Sequence, residues 1–134
     1  LIGQISKLMN RRINELLKNE DISEFNAAQG TIIYVLSKQG PLAIKDISVQ
    51  TGLAKTSLTS MLDRMEKLGF VRKSENENDK RSTIIELCDS TVGYGQVLER
   101  VSEKMNEEFY KGLKAKEVER FEATLEKILR NLEG

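Results

Sequence analysis

The sequence predicts a mainly α chain of the α+β class, its helices interrupted by one small antiparallel β wing. Three observations carry that expectation. Apolar residues recur at three- and four-residue spacing through most of the chain. Two short β-prone segments flank the polar stretch Glu75-Asn76-Glu77-Asn78. Glycines stand where successive apolar stripes end.

The first stripe, Leu1, Ile2, Ile5, Leu8, Met9, Ile13, Leu16 and Leu17, predicts an amphipathic helix ending near Asn19. Asn26 with Gln29 three residues later reads as a capping box, in which each residue's side chain accepts the other's backbone N–H. It opens a second helix through Ile32, Ile33 and Leu36 that stops at Gly40-Pro41. Ile44, Ile47 and Val49 predict a short third helix, ended by a left-handed residue at Gly52. A fourth helix follows at once, from Lys55 to Leu68. Leu58, Met61, Leu62, Met65 and Leu68 form its apolar face, and Lys55, Thr56, Ser57, Thr59, Ser60 and Arg64 lie mostly off it. Two helices joined by a tight glycine turn, the second presenting small polar and basic side chains, fit a helix-turn-helix.

Gly69 stops the fourth helix. Phe70 to Lys73 and Thr83 to Leu87 then predict the strands of a hairpin, and the rise Glu75 to Asn78, with nothing apolar to bury, projects as a wing. Tyr94, Leu98, Val101, Met105, Phe109 and Leu113 mark a long helix; Val118, Phe121, Leu125, Ile128, Leu129 and Leu132 mark a closing one. Residues 25–89 form the winged helix-turn-helix, and the flanking helices, residues 1–24 and 90–134, form a dimerisation region, because their stripes would otherwise leave large apolar patches in water. An intramolecular three-helix bundle buries the same stripes, and periodicity alone leaves both arrangements open.

Composition narrows the chemistry. The chain has 134 residues with 21 basic and 21 acidic side chains, so any nucleic-acid contact must be local. No apolar run is long enough to span a bilayer, which predicts a cytoplasmic protein without membrane partners. There is no histidine and one cysteine, Cys88, which leaves no cofactor or metal site to propose and argues against an enzyme. Cys88 follows the return strand and reads as a packed thiol before a redox sensor. Tyr34, Tyr94 and Tyr110 are core candidates that stay unassigned as pocket residues.

On the wing, a guanidinium at the hairpin tip can enter a minor groove, where the two phosphate backbones concentrate negative potential. Arg81 is the candidate. Asp79, two residues earlier, would repel DNA if it faced outward, so it is expected to hold Arg81 or the loop backbone. The remaining candidate DNA contacts are Lys55, Thr56, Ser57, Thr59, Ser60, Arg64, Arg72, Lys73 and Lys80. An ordinary solvated helix followed by a charged hairpin would show the same composition, and a winged helix used for protein contacts with little DNA affinity is the rival function.

The stretch GLAKTSLTSMLDRMEKLGFVRKSENENDKRSTIIEL, Gly52 to Leu87, resembles the winged helix-turn-helix of the MarR (multiple antibiotic resistance regulator) family. FNAAQ, PLAIKDISVQTGL and VERFEATLEKIL resemble that family's second-helix opening, third helix and closing helix. The resemblance implies a homodimeric transcription factor that binds double-stranded DNA at a pseudo-palindromic operator, often as a repressor, and is released by a small aromatic or amphipathic effector. It places the recognition helix on Ala54 to Leu68 and the wing arginine on Arg81. This chain departs from the pattern at Ala54 and Lys45, which make weak helix caps, at Ser60, where many relatives carry arginine, and in a longer Cys88-to-Gly95 connection.

Overall fold

A computed structural model describes residues 1–134. The chain divides into two compact units, Leu1–Ser102 and Glu103–Gly134. The elements in order are α1 (Ile2–Asn19), α2 (Ala27–Gln39), β1 (Leu42–Ala43), α3 (Ile44–Thr51), α4 (Lys55–Lys67), β2 (Val71–Glu75), β3 (Thr83–Leu87), α5 (Asp89–Val92), α6 (Gly95–Phe109) and α7 (Ala115–Glu133). No helix is long and apolar enough to cross a membrane.

The predicted capping box is present. Gln29 N–H donates to Asn26 Oδ1 at 2.9 Å and Asn26 N–H donates to Gln29 Oε1 at 3.0 Å. A third free donor at the same helix end, Ala27 N–H, is taken by Asn14 Oδ1 of α1 at 2.9 Å. One side chain of α1 therefore completes the start of α2, and Leu16, Leu17, Ile32 and Ile33 are buried on the two helices. Phe25 sits between Phe70 and Tyr94 in edge-to-face contacts with centroids 5.8 and 5.1 Å away. Gly30 leaves room for that ring, since a Cβ there would lie 3.3 Å from Phe25 Cε2.

Ile47 of α3, Leu58, Leu62 and Met65 of α4, and Val71 and Ile85 of the sheet are each almost fully buried and form the centre of the first unit. Leu98 and Val101 of α6 join them, as do Leu16 and Leu17 of α1. The core of the first unit thus extends beyond residues 25–89 to the inner ends of α1 and α6, where Leu16, Leu17, Leu98 and Val101 are buried.

The sheet has three strands in the order β1-β3-β2, all antiparallel. Leu42 and Ala43 pair with Ile85 and Ile84, a bridge that periodicity does not predict, because two residues are too few to show a period. Consequently α3 begins at Ile44 and its capping position is Ala43, where Lys45 had been expected. The hairpin runs from Val71, so Glu75 lies in a strand opposite Thr83 and the projecting loop is Asn76 to Ser82. α5, in the Cys88–Gly95 connection, is a further element that the apolar pattern does not predict. Val49 and Leu68, assigned by periodicity to buried faces, are exposed.

In the second unit, the turn after α6 is closed by aromatic packing. Phe109, Tyr110 and Phe121 have centroids 4.9 to 6.3 Å apart, and Tyr110 OH donates to Glu122 Oε1 at 2.9 Å. Glu117 Oε1 accepts Lys114 N–H at the start of α7, which is half of a capping box, since lysine has no acceptor to complete it. No residue of α7 is buried, and Phe121, Leu125, Ile128, Leu129 and Leu132 form an exposed stripe along it.

Candidate nucleic-acid interface

The presentation of α4 begins at its turn. Gly52 has φ of 73°, and its N–H donates to Ser48 O at 2.9 Å. Two hydroxyls fix the backbone on either side of it: Ser48 Oγ donates to Leu53 O at 2.7 Å, and Thr51 Oγ1 donates to Ile47 O at 2.7 Å while accepting Leu53 N–H. These bonds hold α3 against α4 without using any side chain on α4's outer face. Leu58, Leu62 and Met65 anchor the inner face.

On the outer face, Lys55, Thr56, Ser57, Thr59, Ser60 and Arg64 are all exposed, as the sequence predicted. Lys55, Thr56, Thr59 and Ser60 line one shallow concavity together with Asp63. Thr56, Ser57, Ser60 and Arg64 line a second, with Asn26 and Gln29 at the start of α2. Thr59 Oγ1 donates to Lys55 O at 2.8 Å, so its hydroxyl hydrogen is engaged within the helix. Ala54 supplies no side-chain cap, which leaves the first N–H groups of α4 open to solvent.

The wing loop is ordered by its own polar atoms. Asn76 Oδ1 accepts Asn78 N–H at 3.0 Å, and Asn76 Nδ2 donates to Ser82 Oγ at 3.0 Å, closing the base of the loop. Asp79 Oδ1 accepts Arg81 N–H at 3.0 Å. Of the two partners expected for Asp79, the structure selects the loop backbone. Lys80 and Arg81 stand exposed at the tip with no carboxylate partner.

Arg72 and Lys73 differ from the other candidates. Arg72 Nε donates to Glu86 Oε1 at 2.6 Å across the β2–β3 ladder, with Asp89 Oδ1 4.0 Å from its Nη2. The Glu86 hydrogen bond pushes the guanidinium pKa further up from its ordinary value. Lys73 Nζ bonds Asp63 of α4 and lies 3.9 Å from Glu66 Oε1. Both cations face acidic partners within the lobe, which a count of basic residues along the chain does not reveal.

Elsewhere, Glu99 of α6 accepts Tyr34 OH at 3.0 Å and pairs with Lys38 Nζ at 2.6 Å, tying α6 to α2. Those two bonds, Lys38 first, hold the Glu99 carboxyl below the usual carboxylate range. Cys88 is a half-buried free thiol. No three acidic, cysteine or histidine side chains come close enough to hold a metal ion.

Comparison with known proteins agrees with this geometry. The MarR family model matches residues 25–83. The multiple antibiotic resistance protein MarR of Escherichia coli is 32% identical over 96% of this chain and 88% of its own length. An uncharacterised HTH-type transcriptional regulator of Bacillus subtilis, YfiV, is 33% identical over 75 residues, and the match spans about half of either chain, 52% of this one and 47% of that one. Among solved structures, a mutant E. coli MarR complexed with operator DNA superposes with a TM-score of 0.78 at 28% identity, over 96% of this chain and 91% of that one. An uncharacterised SlyA-like regulator from Listeria monocytogenes shares the fold at a TM-score of 0.82, with 18% identity over 98% and 85% of the two chains. The 32% identity to E. coli MarR over 96% of this chain, the matching winged-helix lobe and the operator-bound structural neighbour together establish that this chain belongs to the MarR family of transcriptional regulators.

Proposed function

We propose that this chain acts in the cytoplasm as a homodimeric repressor that binds a pseudo-palindromic DNA operator and is released by a small aromatic or amphipathic ligand. The observation that carries the reading is the pairing of two exposed surfaces on one lobe: the hydroxyl-rich outer face of α4, and a wing tip whose Lys80 and Arg81 side chains have no carboxylate partner. In this reading α4 lies in the major groove. Thr56, Ser57 and Ser60 reach base edges or phosphates, and Lys55 and Arg64 flank them. The uncapped N-terminus of α4 offers N–H groups to a phosphate. Arg81 enters the adjacent minor groove, and Asp79 positions it through the loop backbone.

The exposed stripes support the dimer. Leu1 with Ile2, Ile5 and Leu8 of α1, and Phe121 to Leu132 on α7, leave apolar surface that a second copy would cover, and a twofold axis would set two recognition helices roughly 34 Å apart, one turn of the duplex. The test is selection from a random duplex library by the purified protein, with sequencing of the retained duplexes. Enrichment of inverted half-sites separated by about one helical turn is the expected result. Failure to retain any duplex at low salt, with the chain folded, refutes the reading.

A further inference from the structure

Lys73 sits where a DNA-binding cation would be counted, yet its surroundings give it a different task. Thr56, Thr59, Ser60 and Asp63 follow the spacing i, i+3, i+4 and i+7, so they share one face of α4, and with Lys55 they line one concavity. A carboxylate therefore stands on the surface proposed to meet the major groove. Brought within a few ångströms of phosphate, an uncompensated Asp63 repels it. Asp63 is 54% exposed, so burial does not remove its charge; Lys73 does, by donating directly to Asp63 from strand β2.

Three observations separate Lys73 from a phosphate ligand. Its side chain is only 25% exposed, so its ammonium is drawn in against α4. Its second neighbour on α4, Glu66, is also acidic, 3.9 Å away, so this lysine meets more negative charge than it carries. Lys55, Arg64, Lys80 and Arg81 have no carboxylate partner and supply cations for the backbone without it.

We propose that Lys73 is a positioning residue that masks the Asp63 carboxylate, allowing the outer face of α4 to approach the phosphate backbone. The inference rests on the DNA reading above and makes a claim that reading does not contain. Lys73 contributes to affinity through Asp63, and its value disappears when Asp63 is uncharged. Holding β2 to α4 also fixes the wing relative to the recognition helix, so the same contact orients the two reading elements.

The experiment is a double-mutant cycle of Lys73→Met, Asp63→Asn and the pair, read by fluorescence anisotropy on a labelled mixed-sequence duplex of about 30 base pairs, long enough for two half-sites. With Asp63 present, Lys73→Met is expected to weaken binding on the order of tenfold at low salt, and the deficit shrinks as salt screens the carboxylate. In the Asp63→Asn background the same change is expected to have no effect. Equal losses in both backgrounds, with the salt slope lowered by roughly 0.9 for each lost contact, would make Lys73 a phosphate ligand and overturn the mask. No loss in either background also overturns it. Thermal melts accompany each variant, and Lys73→Gln repeats the cycle if the methionine variant melts early. A folded unmutated chain that binds no duplex refutes the DNA reading itself, an outcome distinct from the other three.

Discussion

Leu129 offers the sharpest test of the dimer. It lies in the middle of the α7 stripe and is 57% exposed in the single chain. Leu129→Ala removes three carbons, each worth about 0.8 kcal/mol when fully buried. Since a partner can cover only the fraction still in water, the loss is about 1.4 kcal/mol per chain, and a twofold axis repeats it, giving about 2.7 kcal/mol per dimer. That corresponds to a dissociation constant weakened roughly a hundredfold. Sedimentation equilibrium over a range of concentrations measures it directly. Val49→Ala is the control, because Val49 is 82% exposed on α3, a helix that carries no part of the stripe, and its loss is expected to leave association unchanged. A hundredfold shift for Leu129 with none for Val49 fits the stripe as the interface. An unchanged constant for Leu129→Ala, or a single-chain mass for the unmutated protein at micromolar concentration, refutes the reasoning.

Arg81→Ala is expected to weaken operator binding by about 1 to 3 kcal/mol in a titration against the selected duplex, the range for a lost base contact. Arg72→Ala should lose much less in the same titration, because Arg72 is engaged by Glu86. Asn26→Ala is expected to lower stability by about 1 kcal/mol, the usual cost of a lost helix cap, seen as a drop of roughly 3 to 4 °C in melting temperature for a chain of this size; Asn26→Asp, which keeps the acceptor, should melt like the unmutated chain. Glu99 gives a pH dependence. Its folded pKa is depressed, so its contribution to stability is complete above its unfolded pKa of about 4.3 and is lost as pH falls through the lower folded value. Melting curves from about pH 5 down to pH 3 should show Glu99→Gln losing less stability than the unmutated chain.

The elements that could be read from the sequence are those whose cause is local. Asn26 and Gln29 are three residues apart, and Gly52 comes directly after the last turn it terminates, so their signals lie within one window. Features that escaped were settled across the fold. Asn14 caps an N–H thirteen residues away, and nothing in its own helix marks it for that role. β1 exists because Ile84 and Ile85 offer it a paired edge, not because Leu42 and Ala43 form a strand by themselves. Val49 and Leu68 have the right spacing for buried faces but lie beyond the reach of any covering element. The candidate site shows the same division. Periodicity was enough to put Lys55, Thr56, Thr59 and Ser60 on the outside, whereas the separation of free from paired cations required the packing of β2 against α4 and of Glu86 beside Arg72.

That separation bears on how a chain with 21 basic and 21 acidic residues can bind a polyanion. Lys38, Arg72, Lys73 and Arg100 are held by Glu99, Glu86, Asp63 and Glu20, while Lys55, Arg64, Lys67, Lys80 and Arg81, on α4 and the wing tip, have no carboxylate partner. The reading surface thus keeps five unpaired cations to offer to phosphates, at zero net charge for the chain. The same pairing limits the electrostatics of binding. The ten free cations on the two reading surfaces of a dimer, each releasing about 0.9 of a counterion when it meets a phosphate, set a ceiling of roughly 9 on the log–log salt slope. Contacts that reach bases instead of phosphates bring the value below that ceiling. A measured slope well above 9 would mean that cations beyond these five contact DNA, and the restriction of phosphate contacts to the free cations of α4 and the wing tip would fail.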